Sequence, residues 1–238
     1  MRFNHKCVIS VVALAALFGL TTCKRNAAEH FKIITYNVWR GYMDGNHMRL
    51  PVDENGQMRK EGIYNWLREQ EPDVVVFQEL MNYTRDQLEE ESHYWNHSYA
   101  IVHKEEGMGM GITSRHPINV QEIIIDGMHH GLIYCHIEGI DIIATHLWPR
   151  FDERILEEVN QVISRVQQSK EEGHQVIVLG DLNALSPEDD PFLSEETLGL
   201  YTNHWKWKLE NDRPSYRVIQ ALLDAGLRDV YVPFMEEM

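Results

Sequence analysis

The sequence predicts a mixed α/β domain, and three observations point to it. Short apolar runs rich in Val and Ile recur along the chain and read as buried strands. Between them lie segments with apolar residues three and four positions apart, the spacing of amphipathic helices. Several strand-like runs also end in a single polar side chain, which places polar groups at the edge of a sheet. With 238 residues, 43% of them hydrophobic, the chain has ample apolar material for one core. No internal repeat, low-complexity tract or interdomain linker divides it.

The first 23 residues stand apart from that domain. Arg2 and Lys6 precede an apolar run from Cys7 to Leu20, followed by Thr21-Thr22-Cys23. A basic start and an apolar stretch of this length predict a secretory signal, too short for a comfortable membrane span. Cys23 resembles the lipidated cysteine of bacterial lipoproteins, although Thr22 is a poor match to the small residue usual before it. The expectation is an exported protein of the cell envelope, lipid-anchored to a bacterial membrane at Cys23 or otherwise periplasmic or secreted, with the folded domain over residues 24–238.

Only Cys135 then remains in the body, so no intrachain disulfide forms there, and its apolar neighbours make it a buried strand residue. No Cys/His spacing suggests a structural zinc site. Removing residues 1–23 leaves 20 basic against 37 acidic residues, a net charge of −17 with His neutral. Such a field opposes non-specific binding to nucleic acid unless divalent cations intervene. It argues against a DNA-coating protein and leaves a metal-dependent hydrolase open.

In chain order, residues 31–39 read as a strand with Asn37 near its end. A polar loop over 41–56, with Asp44, Asn46 and His47, belongs at the surface. Ile63, Trp66 and Leu67 mark the apolar side of a short helix that Pro72 closes. Residues 73–80 form a second buried strand with Glu79 at its end. An acidic helix over 84–91 presents a solvated face, and residues 99–102 form a strand. The alternating glycines of 107–111 suit a strand approached closely by another backbone or by a ligand, and their spacing fits no dinucleotide or Walker loop. Strands at 120–125, 132–137 and 140–146 follow, the last ending in His146. A helix with Ile155, Val159, Val162, Ile163 and Val166 on one face then leads to Gly173 as its cap. The run from Val176 to Leu179 reads as a strand buried on both faces, around which the chain is organised. It ends in Gly180-Asp181-Leu182-Asn183, where alternation sets Asp181 beside Asn183 and turns Leu182 into the core. Taken alone, this stretch is equally a strand ending in a turn. Residues 189–191 begin a surface segment, and Ile219, Leu222 and Leu223 mark a last amphipathic helix closed by Gly226.

Asn37, Glu79, His146, Asp181 and Asn183 thus fall at four separate strand ends. A carboxylate such as Glu79 suits Mg²⁺, a hard cation that takes oxygen ligands and keeps several waters. Asp181 can orient or deprotonate an attacking water, Asn37 and Asn183 can hold a phosphate or the nucleophile, and His146 can donate to a phosphoryl oxygen or leaving group. Any one of these is as well explained as a strand-end turn residue; five together are not.

At these residues the chain resembles the endonuclease/exonuclease/phosphatase superfamily, the deoxyribonuclease I-like metal-dependent hydrolases. The matching pieces are Ile34-Thr35-Tyr36-Asn37-Val38, Asp73 to Glu79, Gly111 to Ile118, Thr145-His146-Leu147 and Gly180-Asp181-Leu182-Asn183, in the family's order. The resemblance implies a four-layer α-β-β-α sandwich, two packed mixed sheets flanked by helices. It also implies cleavage of a phosphate ester with Mg²⁺, or Mn²⁺ in its place, as cofactor. Glu79 would be the metal ligand, Asp181 and Asn183 the water-orienting pair, and Asn37 and His146 the phosphate contacts. Family members close with an Asp-Tyr strand and a Ser-Asp-His element, and nothing after Leu227-Arg228-Asp229-Val230-Tyr231 supplies either. The expectation is therefore a domain incomplete at its C-terminus, its last strands missing and its own hydrolysis weak.

Two functions follow. One is a phosphodiesterase, nuclease or phosphatase acting on a small organic phosphate, a phospholipid head group or nucleic acid, with no obligate protein partner. The other is a non-catalytic surface protein that keeps the fold and binds a phosphorylated ligand or protein. Trp39, Trp148, Trp205 and Trp207 would suit a lipid or small organic phosphate, but core packing accounts for scattered tryptophans more simply.

Overall fold

The computed structural model describes residues 31–43 and 59–231. Residues 1–30, with the expected signal segment and Cys23, residues 44–58, with Asp44, Asn46 and His47, and residues 232–238 lie outside the described residues. Among the described residues, no helix is long and apolar enough to cross a membrane.

Two four-stranded sheets form the body. The first has β1 (Ile33–Asn37), β2 (Val74–Met81), β4 (Met108–Ser114) and β3 (Tyr99–Val102) in that spatial order, with β1 parallel to β2 and the rest antiparallel. In the second, β5 (Asn119–Ile124), β6 (Leu132–Ile137) and β7 (Ile140–His146) run antiparallel, and β8 (Gln175–Asp181) lies parallel to β7. Helices α1 (Arg59–Gln70) and α2 (Arg85–Ser92) cover the outer face of the first sheet through Ile63, Leu67 and Leu88. The outer face of the second is covered by α3 (Glu153–Glu171) and by α5 (Arg217–Asp224), which follows α4 (Glu195–His204) and the short hairpin of β9 (Leu209–Glu210) and β10 (Arg213–Pro214). Between the sheets, Val74, Val76, Met110 and Ile112 meet Ile133, Cys135, Ile142, Ala144 and Leu179. This is the predicted four-layer sandwich of two mixed sheets flanked by helices.

Strand alternation explains how this core positions polar ends. Along β1, Ile33 faces the other sheet, so Asn37, four residues on, does as well. Ile142 and Ala144 put His146 on the same inter-sheet side, and Ile177 and Leu179 do so for Asp181. The two parallel pairs, β1 with β2 and β7 with β8, end at one rim of the sandwich. Gly180 makes that end possible: its φ is +136°, and a Cβ there would fall 1.8 Å from the Thr145 carbonyl oxygen.

Several expectations change. Trp66 is 38% exposed, and Tyr64 instead packs beside Ile63 and Leu67. Tyr42, placed in a surface loop, is fully buried against the Tyr64 and Tyr83 rings. Glu91 of the acidic helix is not merely solvated; it accepts hydrogen bonds from the Lys60 ammonium and the Tyr64 hydroxyl. The strand β8, around which the chain is organised, lies at the edge of its sheet among the described residues. Core packing does not account for Trp39, Trp205 and Trp207, each more than 40% exposed, whereas Trp148 does pack against the core of the second sheet. The close backbone approach expected at the alternating glycines is met: a Cβ at Gly109 would fall 2.8 Å from the Lys104 carbonyl oxygen, and one at Gly111 would meet the Leu88 and Leu80 side chains at 2.5 and 2.8 Å.

Candidate active site

At the shared rim, Asn37 bridges the two sheets. Its Nδ2 donates to Glu79 Oε1 at 3.0 Å and to Asp181 Oδ2 at 2.9 Å. Both bonds use one nitrogen, so these carboxylate oxygens are at most about 5.9 Å apart, the sum of 3.0 and 2.9 Å. Two carboxylates held this close in a half-exposed setting form an oxygen-rich donor set that fits a hard divalent cation.

Alternation alone would not aim Glu79 at this point. Phe77 and Leu80 both belong to the helix-facing core, so the two-residue period breaks between them. The break is a β-bulge: the pairing with β4 shifts between Gln78 and Leu80, and Glu79 adopts a left-handed φ of +63°. Bulged out of the ladder, its carboxylate reaches Asn37. The following chain curls round it. Trp39, Arg40, Gly41 and Tyr42 all have positive φ, and the Arg40 N–H donates to Glu79 Oε2 at 2.9 Å. Such a run of left-handed residues is costly and persists where surrounding contacts fix it.

Asp181 is held twice. Besides Asn37, the Asn183 backbone N–H donates to its Oδ1 at 3.1 Å. Asn183 is itself left-handed at φ +49°, its Nδ2 donates to the Leu147 carbonyl at 2.9 Å, and its Oδ1 accepts from Lys208 Nζ at 3.0 Å. Leu182 turns into the core as alternation requires. His146 is 3% exposed, with Nε2 3.7 Å from Asp181 Oδ2. Burial lowers its pKa against the pull of Asp181 and Glu79, so it is a neutral imidazole near pH 7. Its buried Nδ1 has no hydrogen-bond partner among the described residues. The His130 ring stacks on it at 3.9 Å, and burial followed by the neighbouring His146 pushes His130 down to about 2.

Residues 34–227 match the model of the Endonuclease/Exonuclease/phosphatase family. The chain belongs to this family. No curated protein matches its sequence. Among solved structures, it is similar to an AP endonuclease from Archaeoglobus fulgidus, at 22% identity and TM-score 0.51, covering 69% of this chain and 65% of that one. It is also similar to the 3'-5' exonuclease NExo from Neisseria meningitidis, at 18% identity and TM-score 0.52, covering 70% and 66%. The 2',3'-cyclic phosphatase ANGEL2 in complex with adenosine-2',3'-vanadate is a third, at 14% identity and TM-score 0.51, covering 85% and 65%. The chain thus spans just under two thirds of each of these three structures. At these identities the likeness is one of fold.

All five expected residues of this family member lie at one rim: Asn37, Glu79, Asp181 and Asn183 are joined by the bonds above, and His146 stands 3.7 Å from Asp181. Sequence reasoning missed three others. Lys208 comes from a short segment between α4 and β9, and burial lowers its pKa while Asp181 counters. His130 enters on the β5–β6 connection. Glu158 of α3 is fully buried, and its carboxylate accepts the His129 N–H at 2.6 Å and the Trp148 N–H at 2.7 Å, tying together the two loops that flank His146. Only Glu158 left a signal: a glutamate one position before Val159 on an otherwise apolar stripe.

Proposed function

We propose that this chain is a divalent-metal-dependent hydrolase of phosphate esters, with Mg²⁺ or Mn²⁺ as cofactor. One observation carries the reading: the Asn37 amide that holds Glu79 and Asp181 together across the sheets. Glu79 and Asn37 would hold the cation. A bound divalent ion supplies charge neutralisation and polarisation at the phosphoryl group. Asp181, fixed through both oxygens by Asn37 and Asn183, orients a water for attack on phosphorus and accepts its proton. The Asn37 amide, both of whose N–H groups go to the carboxylates, fixes Glu79 and Asp181; the Asn183 amide positions the phosphate with the N–H that its bond to Leu147 leaves over, and the neutral His146 offers an N–H to a phosphoryl oxygen. Lys208 sets a positive charge beside Asn183, where negative charge develops.

Trp39, two residues past Asn37, and Trp207, next to Lys208, are about half exposed, and Trp148 stands two residues past His146. These surfaces suit an ester that carries a planar or apolar group, and the acidic chain disfavours long nucleic acid. Wild-type protein should cleave bis-p-nitrophenyl phosphate with Mg²⁺ or Mn²⁺, at the low rate expected of this chain, and Asp181→Asn should lower that rate by roughly 10²–10⁴-fold, to background. Metal-dependent binding of phosphate esters without turnover would favour the non-catalytic function instead. Export and anchoring at Cys23 are part of the same proposal. Cys23→Ser should move the protein from the membrane to the soluble fraction, and a wild-type protein already soluble would end the anchoring claim.

A further inference from the structure

The opposite end of the second sheet carries another set of ligating side chains. Residues His136 and Asp141 are paired across the β6–β7 hairpin, whose Glu138-Gly139 turn has both φ values positive. His174 precedes β8, and alternation puts it on the face of Val176, the residue paired with Asp141. All three therefore meet on the helix-facing side of the sheet, just past the C-terminal end of α3. Asp141 Oδ1 lies 2.7 Å from His136 Nδ1, and Oδ2 lies 3.1 Å from His174 Nδ1. One ligating atom from each falls within 4.8 Å of the others. Asp141 precedes His146 by five residues on the same strand, which separates this cluster from the active-site rim by about 17 Å.

We propose that His136, Asp141 and His174 form a Zn²⁺ site distinct from the candidate active site. Two imidazoles and one carboxylate are zinc ligands, whereas Mg²⁺ takes oxygen. Ligands about 2.1 Å from a tetrahedral ion stand about 3.4 Å from one another. The present 2.7 and 3.1 Å separations lie just under that value and the whole set lies within 4.8 Å, so side-chain rotation brings the three onto one ion. The anchoring carboxylate is prepared for this. Asp141 is 1% exposed, and the Tyr134 hydroxyl donates to its Oδ2 at 2.7 Å, the kind of outer contact that fixes a metal-bound carboxylate. The two histidines are 30% and 40% exposed, so an ion can enter from solvent. Glu172 Oε2, 3.6 Å from His174 Nδ1, is within reach as a fourth ligand. The negative end of the α3 dipole also favours a cation here. On binding, the ion replaces the protons shared between the imidazoles and Asp141 and clips the β6–β7 hairpin to the α3–β8 connection.

The test uses the full chain freed of metal by chelation, with Co²⁺ and then Zn²⁺ as probes. Wild type, Glu79→Gln, His174→Ala and His174→Gln are compared, since His174 is exposed enough for both changes to leave the fold intact. Wild type and Glu79→Gln should each bind one Co²⁺ with the intense visible absorption of a four-coordinate ion, and Zn²⁺ should displace it. Zn²⁺ should also raise their melting temperatures. Both His174 variants should lose the absorption and bind Zn²⁺ more than about tenfold more weakly. Absorption that disappears in Glu79→Gln but persists in the His174 variants would overturn the proposal. So would an equal Zn²⁺ response, or none, in wild type and His174→Ala, which would make the cluster a hydrogen-bonded staple only.

Discussion

Glu158 makes the sharpest stability prediction. Its single carboxylate accepts two backbone N–H groups, one from the loop carrying His130 and one from the segment just past His146. Glu158→Gln keeps the volume but offers one carbonyl oxygen, and its NH₂ faces the other N–H. One buried amide is then unpaired, at roughly 1–3 kcal/mol, and the other exchanges a charge-assisted bond for a neutral one, at about 1 kcal/mol. Removing a buried charge offsets part of this, since burial already raises the Glu158 pKa against the two N–H bonds. The net loss expected is about 1–3 kcal/mol, and Glu158→Ala, which frees both amides and opens a cavity, should exceed it. Urea unfolding measures the loss. Hydrogen exchange at the His129 and Trp148 amides, which should lose protection in both variants, locates it. Turnover should fall while the Mg²⁺ concentration for half-activity stays put, because Glu79 and Asn37 are untouched. Unchanged protection of both amides in Glu158→Ala would refute the reasoning.

Two further outcomes follow. Asn37→Asp exchanges the bridging donor for a third carboxylate; at about 4 Å and an effective dielectric near 20, each repulsion reaches ~4 kcal/mol. The variant should be markedly destabilised in EDTA and recover with Mg²⁺ more than wild type does, and equal urea midpoints in EDTA would contradict the convergence of the three side chains. His97 and His103 are buried and held at about 4, below an ordinary value of 6.5. The unfolded chain therefore binds more protons between those values, and stability should fall as pH drops from about 6.5 to 4, by up to about 1.4 kcal/mol per pH unit for each group. His97→Gln should remove one group's share of that slope in urea melts across the range.

Much of this fold is legible in the sequence because strand period and burial coincide. Asn37, His146 and Asp181 follow runs whose alternation fixes their side of the sheet, so their convergence needs only the pairing of the sheets. Glu79 also fell at a readable strand end, yet its aim depends on a bulge set by the register against β4, which no local pattern encodes. Glu158 and Lys208 act through long-range contacts, and a charged residue on or beside a helix reads as solvated until its partners are known. The tryptophans misled for a related reason: composition counts them as core, whereas position leaves Trp39 and Trp207 on the surface beside the site. Spacing also gave no sign of the His136, Asp141 and His174 cluster, because sheet register gathers residues 38 positions apart.

The most direct test of the central claim is metal binding and turnover in Glu79→Gln. Titration calorimetry with Mn²⁺ should show affinity more than about tenfold weaker than wild type, because a neutral amide replaces a charged ligand. Hydrolysis of bis-p-nitrophenyl phosphate should fall with it and return in part at high Mn²⁺. Lost turnover with unchanged Mn²⁺ affinity would remove Glu79 from the metal site. Wild-type turnover in the variant would contradict the whole assignment.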